Sequence, residues 1–233
     1  MPVDVGGIKI GGEHVIRENL FRHYTCLDPN SPGGNTTWND ISGNNQDDSG
    51  GVGATLDGYY YDFDGTDDVF QFPTLSFTEN TAYSMELWIK FDSLASNRGG
   101  IFMVGLTTDS YGFDQSGGLV RWGIRPSSTL FKVTNEPATN TWHHYLGTYD
   151  GGGNGGVLTL YREAVLIGTA TNTHTSLSTS EVLQLGDSNI MGGSTSGATH
   201  LNGKVAVARV YNRELTHDEV IYNYNAERGA FGV

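Results

Sequence analysis

The sequence predicts an all-β chain, folded as a two-sheet antiparallel jelly-roll sandwich with a short C-terminal helix. Three observations carry this expectation. Short runs rich in aromatic and β-branched residues recur at regular intervals from residue 59 onward. Glycine is abundant, with 33 in a chain of 233, and punctuates those runs as tight turns would. The run "YSMELWIKF" alternates: Met85, Leu87, Ile89 and Phe91 share one face, and Glu86, Trp88 and Lys90 share the other. A hydrophobic content of 37% supplies one real core. No βαβ alternation, internal repeat or second domain is legible.

Taken in order, residues 1–19 read as a short, glycine-punctuated N-terminal arm, and residues 20–233 as one jelly-roll domain. The segment "FRHYTCLDPN" leads into residues 28–58, which are rich in Gly, Asn and Asp. That stretch reads as long loops broken by Trp38 and Ile41. "YYYDF" and "VFQF" then flank an aspartate-rich reversal. "YSMELWIKF", "GGIFMVG", "LVRWGIR", "TLFKV", "TWHHYLGTYD", "GVLTLY", "AVLIGTA", "EVLQLGD" and "GKVAVARVYN" follow as strands. The helix is expected in "LTHDEVIYNYNAER". Thr216 is its N-cap, Glu219 completes a capping box, and Leu215 and Val220 hold the hydrophobic-staple positions. Asp218 and Glu219 suit the positive end of its dipole. So short a helix must dock on a sheet to persist.

Charge narrows the function classes. The formal net charge is −13, which repels nucleic-acid phosphates and anionic membranes and suits divalent cations. Cys26 is the single cysteine, so an intrachain disulfide is impossible, as expected of folding in a reducing compartment. The opening residues lack the basic start and apolar core of a signal peptide, and no stretch is apolar enough to span a bilayer. Synthesis in a cytoplasm is therefore the expectation.

Several segments together resemble the laminin G-like, concanavalin A-like lectin/glucanase jelly roll in its bacterial and phage form. They are "TTWNDISGNN", "YDFDGTDDVFQF", "YSMELWIKFDSL", "TWHHYLGTYDG" and "LNGKVAVARVYNRELTHDEV". The resemblance covers roughly residues 24–228. The order of the segments is specific, although each alone is weak. One departure stands out. Where the family turns a hairpin with Asn-Gly or Asp-Gly, this chain has Glu163 and Ala164 in "LYREAVLIG". Alanine tolerates positive φ poorly, so the sequence argues against a two-residue type I′ turn there. The opening "IKIGGEHVI" also resembles virion proteins of tailed phages.

Four candidate sites merit weighing. The stretch "YDFDGTDDVF" packs four aspartates into ten positions. Asp64, Asp67 and Asp68 could offer carboxylate oxygens to calcium, the cofactor the resemblance admits at a sandwich rim, with further ligands near Asp187. Against this, Asp and Gly are ordinary turn formers, and the spacing is not an EF-hand. His143 and His144 are adjacent in a strand and point to opposite faces, which disfavours a shared metal. Trp88, Trp122, Tyr59, Tyr111 and Phe113 could stack on sugars or fill a core. Trp88 is the preferred carbohydrate-binding residue because it lies opposite the aliphatic stripe. Glu86 and Asp92 share a face, but their spacing is too wide for a retaining glycosidase pair.

The resemblance implies a non-enzymatic structural protein of a tailed-phage virion, as a capsid decoration or a tail or fibre component. Its partners would be other virion proteins, copies of itself and a host-surface glycan, with no nucleic acid and no membrane insertion. A glycan-binding adhesion module, with or without calcium, is the alternative. A divergent glucanase is a more distant one.

Overall fold

The structure is a computed structural model. It describes all residues except 1–2, 6–7, 11–14, 49, 97–98, 106–108, 126–130, 174–180 and 187–199. In the arm, β1 (Val3–Val5) and β2 (Ile8–Ile10) pair as a small antiparallel hairpin, which the sequence reading left as an arm without strands. Fourteen strands build the two main sheets among the described residues. They are β3 (Leu20–Thr25), β4 (Thr55–Asp57), β5 (Tyr60–Asp64), β6 (Phe70–Leu75), β7 (Tyr83–Ser93), β8 (Gly99–Gly105), β9 (Ser110–Ser116), β10 (Leu119–Arg125), β11 (Phe131–Asn135), β12 (Trp142–Tyr149), β13 (Val157–Arg162), β14 (Val165–Thr171), β15 (Glu181–Leu185) and β16 (Asn202–Tyr211). The helix α1 (His217–Phe231) follows.

One sheet runs β11-β10-β9-β8-β15-β6, and the other runs β14-β13-β12-β7-β16-β5-β4, with β3 also paired to β16. All these pairings are antiparallel. The chain is therefore the expected jelly-roll sandwich with a short C-terminal helix. Strand β7 shows why. Met85, Leu87, Ile89 and Phe91 enter the inter-sheet core with Tyr61, Phe63, Phe72, Tyr111 and Trp122, while Glu86, Trp88 and Lys90 face outward. Aromatic rings dominate that core. Trp122 lies so close to β12 that a Cβ at Gly147 would stand 2.2 Å from its indole, and its Nε1–H donates to the Thr148 carbonyl at 3.0 Å.

Strand β9, "SYGFDQS", was not expected, because its polar residues mask the alternation of Tyr111 and Phe113. Asp114 there is buried and forms a bidentate pair with Arg121 on β10, so the polar residue is satisfied inside the sheet. Residues 28–58 are more than loops. Trp38 and Ala54 are fully buried, and Trp38 packs against Tyr61 and Phe70. Before β4, aspartates take up part of the backbone hydrogen bonding: Asp40 Oδ1 accepts the His23 amide at 2.9 Å, and Asp47 Oδ1 accepts the Asp40 amide at 2.8 Å.

The hairpin joining β13 and β14 corrects the sequence reading. Arg162 pairs with Val165, so Glu163 and Ala164 alone form the turn, with φ of 47° and 59°. Tertiary contacts hold them in this left-handed region. Glu163 hydrogen-bonds His143 Nδ1 at 2.8 Å and forms an ion pair with the adjacent Arg162 at 2.7 Å, and the Ala164 carbonyl accepts from His217 Nε2 at 2.8 Å.

Helix α1 starts as expected, with the Thr216–Glu219 capping box formed in both directions. Arg213 hydrogen-bonds the Glu219 carboxylate, which holds it down at about 2. The helix face toward the sheet is unusual in being partly polar: Val220, Asn223, Glu227 and Phe231 are buried. No helix among the described residues is long and apolar enough to cross a membrane.

Candidate functional site

The aspartate stretch is first of all a turn. Strand β5 ends at Asp64, and Gly65 reverses the chain at φ 82°. Asp68 Oδ2 accepts the Asp64 amide at 2.7 Å, and Asp64 Oδ1 accepts the Thr66 amide at 2.7 Å. Asp68 is only 4% exposed. Burial pushes its carboxyl above the usual carboxylate range, the Asp64 amide opposes that, and the charges of Asp64 and Asp67 add to it. Gly53, at φ 82°, gives Asp68 its room, since a Cβ there would stand 1.8 Å from Oδ1. The three predicted ligands do come together. One oxygen each from Asp64, Asp67 and Asp68 lies within 4.8 Å of the others, a donor set of the type hard cations accept. A shallow depression of about 220 Å³, lined in part by Gly65, Ser93, Ser96, His200 and Asn202, adjoins them. Asp187 lies outside the described residues.

Trp88 is corrected as a sugar-binding residue. It does face outward from β7, yet it is 0% exposed because α1 covers it. Phe231 stacks on its ring at 4.1 Å and Tyr224 at 5.8 Å, and its indole N–H donates to Glu227 Oε2 at 2.9 Å. Tyr111, Phe113 and Trp122 are core residues, also fully buried. Of the aromatics weighed from sequence, Tyr59 alone keeps partial exposure.

Tyr59 belongs to a patch that sequence reasoning missed. It sits at the turn between β4 and β5, and with Tyr60 it leans on Trp142 of β12, the ring centroids 6.2 and 5.9 Å from that indole. Both tyrosines are half-buried, and Trp142 is 8% exposed, so the rim of the cluster is what solvent meets. Polar groups frame it. Lys90 Nζ lies 5.6 Å from the Trp142 ring, and Lys204 Nζ lies 5.9 Å from the Tyr60 ring. Lys204 also bridges Asp62 at 3.3 Å and Asp92 at 2.6 Å. Those hydrogen bonds raise its ammonium above the usual lysine value against the opposing effect of burial. Register explains the assembly. Asp62, Lys204, Lys90 and Trp142 are successive cross-strand partners on β5, β16, β7 and β12. Asp64 pairs with Asn202 two residues further along β5, so the aspartate turn and the aromatic patch stand at opposite ends of that strand. Alternation within each strand was readable from sequence, but the order of strands was not.

Glu86, His143, His144, Asp62 and Asp92 are committed to partners. Glu86 is fully buried under α1, accepting from His144 Nε2 at 2.7 Å, from Asn223 at 3.0 Å and from Tyr211 at 3.2 Å, with Arg209 at 3.3 Å. Burial alone would raise its carboxyl, but Arg209 and His144 hold it below the usual range. His143 instead bonds Glu163 and the Ala138 carbonyl, so the two histidines serve different surroundings. Among the described residues the half-exposed acidic pair Asp62 and Asp92 lies on an open sheet face and shares the Lys204 ammonium. A glycosidase needs a free acid and a free base flanking its bond, and that pair supplies neither while Lys204 holds it.

A sequence model described as the concanavalin A-like lectin/glucanases superfamily, of laminin G type, matches residues 64–221. A search of the curated proteins found no match. Among solved structures, the chain is similar to the botulinum neurotoxin serotype D binding domain. That likeness has a TM-score of 0.69 and 12% identity over 91% of this chain and 52% of that one. It is similar to botulinum neurotoxin type C, whose cell entry depends on interaction with two ganglioside molecules, with TM-score 0.68 and 13% identity over 91% and 52%. It is also similar to a Trypanosoma rangeli sialidase in complex with 2,3-difluorosialic acid, with TM-score 0.66 and 15% identity over 92% and 34%. The chain thus spans about half the length of the toxin chains and a third of the sialidase chain. At these identities the likeness is one of fold.

Proposed function

The chain belongs to the concanavalin A-like lectin/glucanases superfamily, and from that premise we propose that it is a non-enzymatic glycan-binding module. One observation carries the reading: two half-exposed tyrosines, Tyr59 and Tyr60, stand on a Trp142 post with charged and hydrogen-bonding groups at their edge. Sugars have apolar faces that stack on such rings and hydroxyls that bond charged side chains. The toxin neighbour that depends on two gangliosides for cell entry and the sialidase neighbour in complex with 2,3-difluorosialic acid support the same ligand class. Asp64, Asp67 and Asp68 would hold calcium at the end of β5 opposite Tyr60. No hydrolysis is part of this proposal.

A glycan array read with and without chelator tests it, using the full chain and the Tyr59→Ala variant. Binding to a defined sugar set, lost in Tyr59→Ala while the melting temperature holds, supports the reading. An array with no bound feature in either condition ends it. Release of reducing ends from any bound sugar would overturn the non-enzymatic part.

The finer reading places this module on a tailed-phage virion as a decoration, tail or fibre component assembled with other virion proteins and with copies of itself. It rests on the resemblance of the opening arm, and on β2 lying against α1, which puts the arm beside a helix rather than within the sandwich. Recovery of the protein in purified particles at a symmetry-related copy number would support it. Confinement to host fractions would end it.

A further inference from the structure

The patch has one cation with no counter-charge. Lys90 is directly cross-strand from Lys204 on the same face. Like charges so placed oppose each other and destabilise a sheet. Lys204 is neutralised by Asp62 and Asp92. Among the described residues the Lys90 ammonium has no carboxylate or hydrogen-bond partner; its one contact is the Trp142 ring at 5.6 Å. The Tyr59 ring lies against the same indole, and among the described residues its hydroxyl also has no hydrogen-bond partner. In a chain of formal net charge −13, acidic groups abound, yet none of the described ones meets this ammonium.

Resting on the glycan-binding reading, we infer that the patch takes an anionic sugar, one that presents a carboxylate or a sulfate to Lys90 while its ring stacks on one of the edge-to-face rings of Tyr59 and Tyr60 and packs against the other. The chemistry is that of a charge-assisted hydrogen bond, roughly twice as strong as a neutral one. It forms beside an aromatic surface that excludes part of the solvent and so weakens screening. The bidentate recognition that arginine gives is absent, so the site reads negative charge on a ring and tolerates either anion geometry. The Asp62–Lys204–Asp92 row next to it discriminates by repulsion, turning the anionic end of the sugar toward Lys90 and away from the aspartates.

The test is titration calorimetry of the full chain with lactose, sialylated lactose and sulfated lactose, beside matched neutral and acidic pairs on the array. The expected result is a preference of about tenfold for the acidic members, the size of one charged hydrogen bond. That preference should shrink at high salt and vanish in Lys90→Gln. Tyr59→Ala should weaken neutral and acidic members alike. Removing one of two facing ammoniums should leave the melting temperature of Lys90→Gln equal to or above that of the unaltered chain, so a fall in it would mark Lys90 as structural and overturn the inference. So would equal binding of neutral and acidic sugars, or a preference that survives Lys90→Gln. In both of those cases glycan binding itself stands, whereas an array with no bound feature removes the parent reading. Preference for the sialylated member alone assigns a carboxylate ligand, and for the sulfated member alone a sulfate.

Discussion

Glu227 Oε2 accepts the indole N–H of Trp88 at 2.9 Å across 139 positions of sequence. The same carboxylate also forks onto Arg209 from β16. Arg209 in turn touches Glu86, so a single acid on α1 closes a buried network of the sheet's outer face. Every member is buried, which means that the helix is fixed by charge pairing as well as by Phe231 stacking on Trp88.

Glu227→Ala should therefore be among the more damaging single changes. It leaves the Arg209 guanidinium buried with only Glu86 and strands the Trp88 donor. The expected loss is about 3–5 kcal/mol of unfolding free energy. Urea unfolding followed by tryptophan fluorescence reads it, and a loss below about 1 kcal/mol would mean that water replaces the carboxylate easily.

Ala164→Gly should stabilise. Ala164 holds φ 59°, where an L side chain crowds the backbone, at a cost of about 1–2 kcal/mol that glycine avoids. Glycine's greater freedom when unfolded cancels part of this, leaving a gain of about 1 kcal/mol. Thermal melting checks the sign, because a decrease would show that the Ala164 methyl packs productively near Leu146 and Val220.

Acid should weaken the fold before the carboxylates titrate. His23 is fully buried, and neither ring nitrogen has a hydrogen-bond partner among the described residues. Burial, with Arg209 and Arg17 nearby, drives its pKa well below the ordinary 6.5. Between the folded value and 6.5 the unfolded chain binds a proton that the native chain refuses. The stability from this group is thus complete above 6.5 and is lost as pH falls, with a slope of up to about 1.4 kcal/mol per pH unit. Glu86 and Glu219, both held below their ordinary 4.5, add a further loss as pH drops through the acidic range. His23→Leu should flatten the upper part of the profile and leave the lower part in place. Unfolding free energy measured across the acidic range decides it.

Asp68→Ala should destabilise the β5–β6 turn by about 1–3 kcal/mol, since it strips the Asp64 amide of its acceptor. Where calcium occupies the turn, its addition raises the melting temperature of the unaltered chain and not that of the variant. Calorimetric titration with calcium gives the same answer directly, and an unaltered chain indifferent to calcium would leave the aspartates with their turn-forming role alone.

Much of the fold was legible because its signals are local. The strict alternation of β7 names its buried face, and the Thr216–Glu219 pair names the start of α1 before any contact is known. Membership of a sandwich follows from such strands in series. Strand β9 was missed because its buried Asp114 is satisfied only by Arg121 on the next strand, and the Glu163–Ala164 turn was misread because its strain is balanced by distant partners, His143 and His217. The candidate patch divides the same way. Asp64, Asp67 and Asp68 are close in sequence and come together in space. Tyr59, Lys90, Trp142 and Lys204 lie on four strands or their turns, and only strand order makes them neighbours. Trp88 is the sharpest case. Its outward direction is a property of alternation along one strand, which sequence fixes with period two. Its burial is a property of the helix laid over it from the far end of the chain, a docking decided by Glu227, Arg209 and Phe231 that no local pattern announces.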